Sequence, residues 1–134
     1  MKKNDKSDQF IVKFIDWVTT QSHIEAVALV GSYANGTASE ESDIDLILLI
    51  PNPDTLIDDI KWVYQFGAVS DNQIEHYGKV TSIRVWYSNG PEVEFGITYP
   101  TWASSPLDNG TQQVIDNGMK VLFERKPILS KHVE

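Results

Sequence analysis

Asp43 and Asp45 flank Ile44 at the head of an apolar run, and Gly31-Ser32 stands ten residues before them at the tail of another. Side chains two apart on a strand share a face, so the two carboxylates would project together while Ile44 and Leu46 pack behind them. At ~4 Å and an effective dielectric of about 20, such charges repel by on the order of 4 kcal/mol, which a divalent cation with oxygen ligands reverses. Mg²⁺ is the natural occupant. Gly31 carries no side chain to keep an anion off the backbone, and the Ser32 hydroxyl with nearby amides can approach one closely. The chemistry open to these residues is the holding of a phosphorylated ligand, mainly through metal. Neither the Gly-Lys-Ser/Thr of a P-loop nor the G-x-G-x-x-G of a dinucleotide fingerprint is present.

Each half of this motif needs a regular element to position it. Ala26 to Val30 is a short Val-rich run, a buried strand ending at Gly31, and Leu46 to Ile50 is a second. Ser32 to Asn35 can form a short helix ended by Gly36, whose first amides add to the anion site. Upstream, Ser7 can cap a helix in which Phe10, Ile11, Phe14, Trp17 and Val18 recur at helical spacing, ending near Gln21. Downstream, Pro51 and Pro53 break the chain, and Asp54 opens an amphipathic helix running through Ile57, Ile60, Trp62, Val63 and Phe66 to Gly67.

The middle of the chain reads as strand. Ile74 to Val80, Thr81 to Ser88 and Glu92 to Thr98 are rich in β-branched and aromatic residues, and Asn89-Gly90 is a hairpin turn between the last two. A helix from Thr111 to Asp116 stops at Gly118, and Met119 to Phe123 is a final strand. The pattern predicts an α/β (α+β) domain, a mixed sheet of five or six strands flanked by helices. The hairpin puts Glu94 in mid-sheet, where an unpaired carboxylate is costly unless a metal lies beside Asp43 and Asp45.

Composition narrows the partners. At 134 residues the chain is read as one domain, 1–134, with 1–8 a polar flexible tail. It has no Cys, so neither disulfides nor thiol catalysis is available. No apolar run reaches membrane-spanning length and Met1 to Phe10 lacks a secretory core, which predicts a cytoplasmic protein. A net charge of −8 repels a phosphodiester polymer, and the 11 Lys and Arg residues are scattered, so nucleic acid is disfavoured as partner. Glu40 and Glu41 are read as exposed loop charges, and His23, His76 and His132 have no metal-ligand spacing. Arg84 could neutralise phosphate or pair with a carboxylate, the ion pair being preferred. Trp102 and Tyr33 could stack on a base, although a Trp that follows a strand is usually core.

G-S-Y-A-N-G followed by S-D-I-D-L, with V-E-F downstream at Val93-Glu94-Phe95, resembles the signature of the nucleotidyltransferase superfamily that includes DNA polymerase beta, and most of all its minimal bacterial branch. The likeness extends over most of residues 24 to 125. It implies that Gly31 and Ser32 contact nucleotide phosphates, that Asp43 and Asp45 hold the metals, and that Glu94 completes a catalytic and metal-binding trio. It further implies Mg²⁺-dependent transfer of a nucleoside monophosphate, AMP from ATP, to a hydroxyl of a small molecule or protein. Two positions depart from the pattern: Asn35 stands where an Arg is more common, and Glu94 where Asp is often found. Antibiotic-modifying relatives are expected to carry a further helical domain shaping the acceptor pocket, and this chain stops at Glu134. The acceptor is therefore expected at a homo-oligomer interface or on a helical partner protein. The alternative reading is an antitoxin-like, partner-binding module of the same fold with little catalysis alone.

Overall fold

The computed structural model describes residues 6–38, 42–104 and 107–132. Helix α1 (Lys6–Val18) precedes strand β1 (Ala26–Val30), the one-turn helix α2 (Ser32–Asn35), strand β2 (Ile44–Leu49) and a second one-turn helix, α3 (Asp54–Ile57). Strands β3 (Val69–Tyr77), β4 (Val80–Tyr87) and β5 (Glu92–Thr98) follow, then helix α4 (Asn109–Asn117) and strand β6 (Met119–Glu124). The six strands form one mixed sheet in the order β3-β4-β5-β2-β1-β6. Only β2 and β5 run parallel among these pairs; the chain crosses from β2 over the sheet and returns through the β3-β4-β5 meander. The expected mixed sheet with flanking helices is the architecture found.

Strand alternation sends apolar residues to two separate cores. Val27, Leu29, Ile44, Leu46, Leu48, Ile83, Val85, Val93, Phe95 and Ile97 face α1, where Phe10, Phe14 and Trp17 meet Trp62 and Phe66 in an aromatic cluster. Their neighbours in sequence, Ala26, Ala28, Val30, Ile47 and Leu49, face the other way onto Trp102, Met119 and Leu129. Trp102 is thus a core residue. No helix among the described residues is long and apolar enough to cross a membrane.

Several boundaries differ from the sequence reading, each for a local reason. Ser7 is inside α1 rather than its cap; its hydroxyl lies 2.8 Å from the Tyr33 hydroxyl and is buried, so residues 6–8 belong to the helix and not to a tail. The helix ends at Val18, short of Gln21, where the Thr19 and Thr20 hydroxyls donate to the carbonyls of Asp16 and Trp17 and compete with the helical ladder. The amphipathic helix expected from Asp54 to Gly67 is broken: α3 stops at Ile57, and residues Lys61–Phe66 form a 3₁₀ helix. The Trp62 indole donates to the Leu56 carbonyl at 2.9 Å, taking the acceptor that an unbroken α-helix would give to the amide four residues on. Strand β3 runs from Val69 to Tyr77 and turns at Gly78-Lys79, rather than spanning Ile74 to Val80. It is an edge strand exposed on both faces, so Ser70 to Gln73 carry none of the apolar marks of a strand.

Candidate active site

Pairing in the sheet sets two of the candidate acids, Asp45 and Glu94, in one row. Met119, Val30, Asp45, Glu94, Arg84 and Gln73 are successive lateral partners across β6, β1, β2, β5, β4 and β3. Lateral partners share a face, so the row is apolar at one end, acidic in the middle and open at the β3 edge. Strand β2 starts two residues earlier than the apolar run suggested, because its pairing with β1 and β5 continues through Asp45 and Ile44. Asp45 therefore lies within the strand and Asp43 immediately before it.

Asp43, Asp45 and Glu94 each bring a carboxylate oxygen within 4.8 Å of the others, and all three are half-buried. The charges are not balanced. Asp45 Oδ1 is buried with no hydrogen-bond partner, and burial, followed by the nearby charges of Asp43 and Glu94, pushes the Asp45 carboxyl up to about 7 from an ordinary 3.8. Asp43 and Glu94 are tied to Arg84, whose Nη1 donates to Asp43 Oδ2 at 2.9 Å and to Glu92 Oε2 at 2.5 Å, and whose Nη2 donates to Glu94 Oε1 at 2.7 Å. Three carboxylates this close, one of them with a buried oxygen that no hydrogen bond satisfies, suit a hard divalent cation, so the residues fit Mg²⁺.

This geometry has a pH signature. Between about pH 4 and pH 7 folded Asp45 keeps a proton that the unfolded chain has released. The folded state then binds more protons, and stability falls as pH rises through that window and levels off above it. The metal-free protein is expected to melt at lower temperature at pH 8 than at pH 5.5, with Mg²⁺ recovering the difference at pH 8. Asp45→Asn should flatten the profile in a differential scanning fluorimetry series. A slope unchanged by that substitution would assign it to other groups.

Gly31 and α2 stand beside the acidic trio. Gly31 has φ +75° and ψ −154°, a region essentially restricted to glycine. A Cβ there would stand 2.5 Å from Asp45 Oδ2. The helix after it is the expected single turn, closed by Gly36 in the left-handed conformation. Asn35, at the position where an Arg is more common, turns its side chain back to accept from the Thr37 amide at 3.1 Å and the Thr37 hydroxyl at 2.6 Å, and so shapes the turn. Tyr33 is held by Ser7 and packs against the α1 core, a setting that suits packing better than base stacking. Glu40 and Glu41 lie outside the described residues.

Residues 11–88, more than half of the sequence, match the profile of the nucleotidyltransferase domain. The chain belongs to the nucleotidyltransferase domain family. No curated protein matches it in sequence. In structure this nucleotidyltransferase domain is similar to an aminoglycoside 6-adenyltransferase from Bacillus subtilis, with a TM-score of 0.59 and 14% identity over 87% of this chain. It is also similar to the RNA terminal uridylyl transferase Cid1, with a TM-score of 0.50 and 15% identity over 84% of this chain. The chain spans 40% and 32% of the lengths of those two proteins. These likenesses establish a polymerase beta-like fold for the domain.

The trio of Asp43, Asp45 and Glu94 anticipated from sequence is brought together, with Gly31 against Asp45. The part missed was Glu92, which completes the shell around Arg84. Its signal was available: Glu92 and Glu94 share a face on one strand, and the hairpin sets Arg84 opposite Glu94.

Proposed function

We propose that this domain transfers a nucleoside monophosphate, with AMP from ATP as the expected donor, to a hydroxyl of a small molecule or protein side chain. The observation carrying this reading is the convergence of acidic oxygens from Asp43, Asp45 and Glu94 within 4.8 Å of one another at the paired strands β2 and β5, with a buried, unpartnered oxygen on Asp45. Asp43, Asp45 and Glu94 would hold Mg²⁺. When bound, the metal supplies positive charge to the phosphate oxygens and lowers the pKa of the acceptor hydroxyl.

The chain's own residues divide the remaining work. Helix geometry leaves the first amides of α2 outside the helix's own ladder, and Gly31 lets the backbone come close, so the Ser32 end would hold the outgoing phosphates. The acceptor oxygen forms a bond to the α-phosphorus as the bond to the β-phosphate oxygen breaks, and pyrophosphate leaves. The hydroxyl proton passes to Glu94 or to water. Glu94 borders the open β4-β3 part of the sheet, which would receive the acceptor above Arg84 and Gln73.

The test combines binding and turnover. Each of the four nucleoside triphosphates is added with and without Mg²⁺, and then α-labelled nucleotide is followed onto protein or onto a panel of hydroxylated small molecules. At a hundredfold excess over Kd, one Mg²⁺-nucleotide should raise Tm by about 5–10 °C. A shift with no label transfer until a helical partner is added supports the partner-dependent form of the reading. No shift with any nucleotide overturns it.

A further inference from the structure

Arg84 is hydrogen-bonded to two of the three acids of the trio. Its fork takes one oxygen from Asp43 and one from Glu94, from the side of the sheet away from β1, and leaves the second oxygen of each carboxylate unclaimed by the guanidinium. It makes no hydrogen bond to Asp45, the group with the orphaned oxygen. Glu92 accepts from Nη1 at 2.5 Å beside Asp43, so part of the guanidinium charge is spent on an acid outside the trio. Guanidinium is planar and rigid, and it spans two carboxylates in a way that a point ammonium does not.

We infer that Arg84 is a positioning residue: anchored by Glu92 at Nη1, it aims Asp43 and Glu94 toward Asp45 so that the three present oxygens to one divalent cation. This rests on the metal-dependent reading above. The alternative is that Arg84 occupies the cation's place and must be displaced. The Arg84–Glu92 pair argues against that, because a guanidinium already paired elsewhere is a weak competitor for a divalent ion. Hydrogen bonds to metal-ligating carboxylates set their orientation, and their loss commonly costs 10–100-fold in metal affinity.

Mn²⁺ is the probe, with free ion followed by electron paramagnetic resonance on the full chain, so that no turnover is needed. Arg84→Ala should weaken Mn²⁺ binding about 10–100-fold. Arg84→Lys keeps the charge and guards against a variant that does not fold; it should hold the parent Tm within a few degrees yet bind Mn²⁺ about tenfold more weakly. In transfer assays both should raise the Mg²⁺ concentration needed for half-maximal rate more than they lower the rate at saturation. Tighter Mn²⁺ binding by Arg84→Ala, or unchanged binding by Arg84→Lys, overturns the positioning role and leaves the metal site standing. If the parent protein itself binds no Mn²⁺, the site reading fails, and this inference with it.

Discussion

The Asp43→Asn, Asp45→Asn double variant is expected to lose nucleotidyl transfer by ~10³-fold or more, since about 4 kcal/mol of transition-state charge stabilisation goes with the metal. It is also expected to melt higher than the parent in metal-free buffer at pH 8. The two effects have one cause. At that pH the folded protein must hold Asp45 ionised with Oδ1 buried and unpartnered, beside two further carboxylates. Asparagine at position 45 removes the charge and keeps the shape. At position 43 it still offers an oxygen to Arg84, which retains Glu92 and Glu94 as ionic partners. A gain of about 3 °C or more is expected, which added Mg²⁺ would erase by stabilising only the parent. Melting curves with and without Mg²⁺, alongside label transfer, test both halves. A double variant that is less stable than the parent at pH 8 would mean that the acids are structural, held by partners other than a cation.

Legibility in the sequence followed how local each determinant was. Strand β1, the single turn of α2 and its Gly36 stop could be read because a run of Val and Ala, a Gly-Ser corner and a left-handed glycine act over a few residues. The trio could be read because β-strand alternation fixes which side chains share a face once the strands are known. The break between Ile57 and Lys61 could not, because it depends on the Trp62 indole reaching the Leu56 carbonyl, and the same apolar spacing fits a continuous helix. Edge strand β3 was half hidden for the opposite reason: its pairing to β4 is backbone hydrogen bonding, which leaves no apolar imprint when neither face is covered. Within the site, the contact between Gly31 and the Asp45 carboxylate depends on the Val30–Asp45 register, which no spacing along the chain encodes. The sequence explains why a glycine is useful at the bend; the packing explains why position 31 accepts nothing larger.

That packing leads to the second large effect. Gly31→Ala is expected to lose most metal binding and transfer, about 100-fold or more, although it adds only a methyl group and removes no ligand. Alanine at φ +75° and ψ −154° is strained by ~1–3 kcal/mol wherever it occurs. Here its Cβ also lies 2.5 Å from Asp45 Oδ2 and 3.4 Å from Cγ, so the carboxylate must swing away or β1 and β2 must part. Either movement pulls Asp45 from Asp43 and Glu94. Gly36→Ala separates strain from contact: Gly36 has φ +83°, and a Cβ there meets nothing within 4 Å. Both variants should fall in Tm, Gly31→Ala the further because of its added clash, yet only Gly31→Ala should lose Mn²⁺ affinity and label transfer. Were Gly31→Ala to bind Mn²⁺ within twofold of Gly36→Ala, the glycine would serve the turn alone, and its closeness to Asp45 would carry no functional weight.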